Sequence, residues 1–149
     1  MDKTTIIVVE DNIVYCEFVC NMLAREGYRT VKAYHLSTAK KHLQQATDND
    51  IVVADLRLPD GNGIDLLRWM RKEGKMQPFI IMTDYAEVNT AVESMKLGSI
   101  DYIPKQLVED KLDFISSFGR KEILHILPLF CKPAITDKQS CCTYPHDRN

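Results

Sequence analysis

Five times along the chain a short apolar run ends in polar or charged residues and gives way to a segment with helical apolar spacing. Residues 4 to 9 predict a first strand that delivers Glu10 and Asp11 at its carboxyl end. From Asn12 to Glu26 two overlapping registers, Tyr15/Phe18/Val19/Met22 and Cys16/Val19/Cys20/Leu23, predict a helix with a wide buried face, stopped by Gly27. Tyr28 to Tyr34 alternates, with Lys32 between Val31 and Ala33, which suits an edge strand. Ser37 is the expected cap of a short helix through about Ala46. Ile51 to Ala54 is a buried strand ending in Asp55, followed by the turn Leu58-Pro59-Asp60-Gly61-Asn62-Gly63. A helix from Ile64 to Glu73 turns Leu66, Leu67 and Met70 inward and stops at Gly74. Phe79 to Met82 delivers Thr83, and a helix from about Glu87 to Leu97 turns Ala91, Val92 and Met95 inward. A short strand, Ile100 to Ile103, delivers Pro104-Lys105, and a last helix runs from about Val108 to Phe118 with Leu112 and Ile115 on its apolar face.

Such alternation predicts an α/β fold, a parallel sheet with right-handed crossovers and helices on both faces. The first, third and fourth strands are the most apolar, so the second and fifth belong at the edges. The flavodoxin-like doubly wound order 2-1-3-4-5 meets that condition and puts its switch point between strands one and three. Ligands of open α/β sheets bind at the carboxyl ends of the strands beside that point.

Composition narrows the function classes. The 149 residues suit one domain with a modest appendage. With 19 basic and 21 acidic residues, no net field draws the chain to nucleic acid or an anionic membrane, and no stretch is long enough to span a bilayer. A cytoplasmic location is the expectation. Five cysteines form no disulfide framework, and Cys16 and Cys20 read as packing residues.

The order 2-1-3-4-5 brings Glu10, Asp11 and Asp55 into one pocket. Three carboxylates so close repel one another unless a proton or cation neutralises them. Magnesium is the expected cation, because it takes oxygen ligands and leaves positions for a phosphoryl oxygen. Thr83 and Lys105, from the ends of strands four and five, add a hydroxyl donor and a fixed positive charge. Together these groups suit phosphoryl transfer to a carboxylate nucleophile.

These residues resemble the receiver domains of two-component response regulators, over residues 4 to about 118. The spacings, 44 residues from Asp11 to Asp55, 28 to Thr83 and 22 to Lys105, are ordinary for that family. The resemblance implies that Glu10 and Asp11 are the acidic pair for Mg2+ and that Asp55 is the phosphoacceptor. It makes Thr83 the switch hydroxyl, Lys105 the site lysine and Tyr102 the aromatic switch. The backbone carbonyl of Arg57 becomes a further metal ligand. Residues 83 to 98 are most similar to NtrC-type receivers. The expected partner is a sensor histidine kinase or phosphotransfer protein. The face formed by residues 87 to 118 is the expected surface of conformational change and of any homodimer. By the same resemblance the chain is no enzyme beyond its own phosphorylation and dephosphorylation.

Two positions depart from the family pattern. Asp84 stands where a small residue is usual and adds a negative charge near the incoming phosphoryl group, and Gln106 stands where proline is common after the lysine. Asp84 is the sole support for the alternative of a pseudo-receiver, a binding module that is never phosphorylated. A haloacid dehalogenase-type phosphatase needs a second Asp two residues after the nucleophile, and Arg57 occupies that place. The receiver unit is expected over 1–118. Residues 119 to 149 form a C-terminal extension: a short apolar helix at Ile123, Leu124 and Leu127, ended by Pro128, then a polar tail read as disordered. Cys131, Cys141, Cys142 and His146 match no common zinc spacing. No Walker motif or helix-turn-helix is present, so direct DNA binding by this chain is not expected.

Overall fold

The computed structural model describes residues 4–84 and 86–108. Five parallel strands, β1 (Thr5–Val9), β2 (Arg29–Ala33), β3 (Ile51–Asp55), β4 (Phe79–Thr83) and β5 (Asp101–Pro104), form one sheet in the order β2-β1-β3-β4-β5. This is the flavodoxin-like order expected from the apolar weights of the strands. Helices α1 (Ile13–Arg25), α2 (Leu36–Gln44), α3 (Gly63–Lys72) and α4 (Val88–Lys96) connect them. Lys105–Leu107 make one 3-10 turn after β5.

The continuous apolar strands follow from burial on both faces. Ile6, Val8, Ile51, Val53, Ile80 and Met82 pack on one side with Cys16, Val19, Cys20, Met22 and Leu23 of α1. Their alternating neighbours Ile7, Val9, Val52, Ala54, Phe79 and Ile81 pack on the other with Leu43 of α2 and Leu66, Leu67 and Met70 of α3. Cys16 and Cys20 are buried free thiols.

Three expectations need correction. Ser37 is not the cap of α2: it lies inside the helix, and the carboxylate of Asp60 accepts from the amides of Leu36 at 2.8 Å and Ser37 at 3.2 Å. A side chain 24 residues away thus satisfies amides that a local serine was expected to cover. Phe18 stands outside the packed register of α1, 41% exposed. On α4, Ala91, Val92 and Met95 are only half-buried and Ser94 alone is buried. The Ser94 hydroxyl donates to Ala91 O at 2.8 Å and accepts from Ser99 Oγ at 3.1 Å. The last helix beyond Val108, the segment to Phe130 and the cysteine-containing tail lie outside the described residues.

The turn after β3 is tighter than its sequence suggests. Arg57–Leu58 pairs antiparallel with Gly61–Asn62, and Asn62 caps α3 by accepting from Asp65 N at 2.9 Å. Gly63 passes so close beneath the end of β3 that a Cβ there would lie 2.5 Å from Asp55 O. Only glycine fits.

Candidate functional site

β1 ends one residue before Glu10, whose amide donates to Ala33 O at 2.9 Å. Glu10 Oε2 accepts from Asn12 N at 3.0 Å, and Asn12 Oδ1 caps α1 by accepting from Tyr15 N at 3.0 Å. This folded link turns the chain back at once and keeps the acidic pair at the sheet edge. β3, paired with β1 in register up to Val9 and Ala54, delivers Asp55 beside them. Carboxylate oxygens of Glu10, Asp11 and Asp55 all lie within 4.8 Å of one another. Glu10 and Asp55 are buried and Asp11 is exposed at the mouth.

Lys105 faces this group. Its Nζ lies 2.6 Å from Glu10 Oε1, 3.2 Å from Asp55 Oδ2 and 3.6 Å from Asp84 Oδ2. Burial alone would lower the lysine pKa, but the Glu10 and Asp55 carboxylates outweigh it and hold it above its ordinary value. Glu10 is the strained member of the pair. Burial raises its pKa from 4.5 to about 7, with the Asp55 charge adding to the rise and Lys105 and the Asn12 amide opposing it.

The donor set fits Mg2+. Three carboxylates converge, and the single charge that Lys105 brings against them does not balance theirs. A hard cation that takes oxygen ligands suits such a group.

Thr83 ends β4 and is 1% exposed, one residue beyond the partner of Asp55 in the sheet register. Tyr102 on β5 is half-buried, and its hydroxyl lies 2.6 Å from Thr90 Oγ1 and accepts from Glu87 N at 3.4 Å. It therefore ties β5 to the start of α4. Arg57 occupies the paired turn directly after the β3 exit. The residues singled out from sequence thus converge on one sheet edge, except Tyr102, which sits on the neighbouring β5–α4 surface. Sequence patterning assigned Tyr15 only to a packing face of α1. Its ring lies 4.6 Å from Lys105 Nζ, a contact across 90 residues that no local pattern encodes.

The sequence model of the "Response regulator receiver domain" matches residues 6–115. Over 116 residues, 78% of this chain and 26% of the relative, the chain is 34% identical to the transcriptional regulatory protein ZraR of Klebsiella oxytoca. It is 35% identical over 127 residues to the regulatory protein AtoC of Escherichia coli K12, covering 81% of this chain and 27% of that protein. Both are of the NtrC type that residues 83 to 98 resemble. The chain thus spans about a quarter of these relatives' length. Among solved structures it is similar to FixJ-N, with a TM-score of 0.70, 28% identity and 82% and 95% of the two chains covered. A CheY-like receiver from Methanospirillum hungatei shares the fold, with a TM-score of 0.73, 24% identity and 83% and 99% covered.

Proposed function

Because the chain belongs to the response regulator receiver domain family, we propose that it is a phosphorylation-driven switch with Asp55 as the phosphoacceptor. The observation that carries this reading is that Asp55 lies beside the acidic pair with Lys105 Nζ 3.2 Å from its carboxylate. An Asp55 carboxylate oxygen forms the new P–O bond in line with the bond that breaks. With acetyl phosphate as donor, acetate departs with the electron pair. A phosphohistidine of a sensor kinase or phosphotransfer protein is the donor expected in a signalling pathway.

Glu10, Asp11, Asp55 and the backbone carbonyl of Arg57 would hold Mg2+, which when bound supplies charge neutralisation for the phosphoryl oxygens. Lys105 provides a preorganised positive charge against the same oxygens, and the Thr83 hydroxyl a donor. Phosphorylation then acts on a two-state element. The added oxygens draw in Thr83 and Lys105, and Tyr102 leaves Thr90 to turn toward the space that Thr83 vacates. The surface that responds is α4 and β5 with the residues after them, over 87 to 118, where a partner or second copy would dock. The named relatives are regulators of transcription or otherwise regulatory proteins. By analogy the switch controls such an output, without itself contacting DNA.

The test is intact mass after incubation with Mg2+ and acetyl phosphate, for the wild type and Asp55→Asn, with and without EDTA. A single phosphoryl adduct that requires both Mg2+ and Asp55 is expected. The contact between Asp84 and Lys105 favours one rival, a pseudo-receiver that binds partners without phosphorylation. Absence of any adduct, with beryllium fluoride also failing to bind, would support that rival instead.

A further inference from the structure

Lys105 is attached by a long flexible stem to the end of β5, and three carboxylates compete for its ammonium. Asp84 is the outlier among them, because its side chain is 63% exposed and draws the ammonium toward solvent. Glu10 and Asp55 oppose that pull through charge, and α1 adds a second restraint. The Tyr15 ring lies 4.6 Å from Lys105 Nζ, and the Tyr15 hydroxyl donates to the backbone carbonyl of Lys105 at 3.4 Å. One side chain therefore holds both ends of the lysine. Tyr15 is itself held, since its amide donates to the Asn12 side chain one turn earlier and its ring packs 5.7 Å from Phe18.

We propose that Tyr15 is the positioning residue for Lys105, a ring and hydroxyl clamp that keeps the ammonium at Glu10 and Asp55 against the pull of Asp84. The proposal rests on the phosphoacceptor reading above. The electronegative face of the ring attracts the ammonium without neutralising it, so the full charge stays available to a phosphoryl oxygen on Asp55. A carboxylate in the same place would not do this. The hydroxyl is a donor at neutral pH, as an ordinary phenol is, and burial pushes its pKa further up to about 12. Lys105 needs such a clamp because an unrestrained lysine stem samples many rotamers. The 3-10 turn that it opens spans only three residues.

The experiment compares initial rates of phosphorylation by acetyl phosphate, read by intact mass, for Tyr15→Phe and Tyr15→Leu. Each variant is made both with Lys105 present and in a Lys105→Ala background. Loss of ring and hydroxyl in Tyr15→Leu slows the reaction about three- to tenfold, and Tyr15→Phe, which keeps the ring, by about twofold. Both effects disappear without Lys105, which a general packing defect would not do. A wild-type rate in Tyr15→Leu overturns the clamp, as does an equal slowing without Lys105. A second measurement needs no phosphoryl transfer. The Hε protons of Lys105 resonate upfield in the wild type and Tyr15→Phe because of the ring current, and return to the random-coil position in Tyr15→Leu. Lys105 Hε at the random-coil position in the wild type overturns the proposal even if no adduct forms. A shifted Hε without any adduct instead retains the clamp and removes the phosphoacceptor reading.

Discussion

The two halves of the site edge are held by different forces. On the β1–β3 side the strands are buried, and α3 buries Gly63, Ile64, Leu66, Leu67 and Met70 against them. On the β4–β5 side β4 is buried as β3 is, but α4 buries Ser94 alone among its residues, and polar ties hold that helix. Tyr102 binds Thr90, the Arg71 guanidinium donates to Leu97 O at 3.0 Å and Gly98 O at 3.2 Å, and Arg68 pairs with Glu93. Apolar packing in a core is close and loses stability when any atom is removed. Hydrogen bonds contribute less on balance and exchange partners at small cost. The half that carries Asp55 is therefore fixed by close apolar packing, whereas α4 is held by polar ties that can exchange. The proposed switch would use that division of labour.

The largest effect that tests this division is a cavity on each side. Leu67→Ala is expected to lower stability by about 2–5 kcal/mol in urea unfolding, whereas Val92→Ala on α4 costs about 1 kcal/mol or less. Equal losses would erase the distinction.

The next largest effect concerns the charge that the β1–β3 side confines. Glu10 has a pKa of about 7 in the fold against 4.5 as a free carboxyl. Between those values the folded state keeps a proton that the unfolded state has released, so this contribution is full below pH 4.5 and is lost as pH climbs through 7. Without metal, stability should fall across that window, and Glu10→Gln should flatten the profile. Mg2+ competes with the same proton, so thermal shifts at saturating Mg2+ are expected to be larger at pH 8 than at pH 5.5. One hundredfold excess over Kd corresponds to about 2.7 kcal/mol. A metal-induced shift that ignored pH, or grew in acid, would contradict this assignment of Glu10.

Tyr102→Phe removes the tie to Thr90 and is expected to cost about 1 kcal/mol. Hydrogen exchange should locate the loss: faster amides in α4, unchanged amides in β1 and β3. The smallest effect belongs to Asp84. Asp84→Asn removes one of the three carboxylates around Lys105 and should speed phosphorylation by acetyl phosphate about two- to fivefold, more at low salt than at high. A rate that stays the same at every ionic strength would show that Asp84 does not act through its charge.

Much of this architecture is legible in the chain itself. The apolar runs at 5–9, 51–54 and 79–82, each followed by a candidate site residue, follow from strands buried on both faces, and their apolar weight orders the sheet. The acidic pair, Asp55, Thr83 and Lys105 could be named because each lies at or just past the end of a strand, where geometry leaves little freedom. The errors have a common origin. Ser37 looked like a cap because capping chemistry is usually local, but Asp60 reaches α2 across the fold. Ala91, Val92 and Met95 looked like a core face because helical periodicity records amphipathicity and not depth of burial.

The sequence by itself determined the strand order, the convergence of three carboxylates and the family, since backbone periodicity and strand-end positions are set by near neighbours in the chain. Only the tertiary structure decided what surrounds Lys105: Tyr15 beneath it, Glu10 and Asp55 against it, Asp84 at its outer side. These contacts join residues up to 95 positions apart. Their distances depend on how α1 and β5 pack over the same sheet edge, and nothing in the local pattern of either segment contains that information.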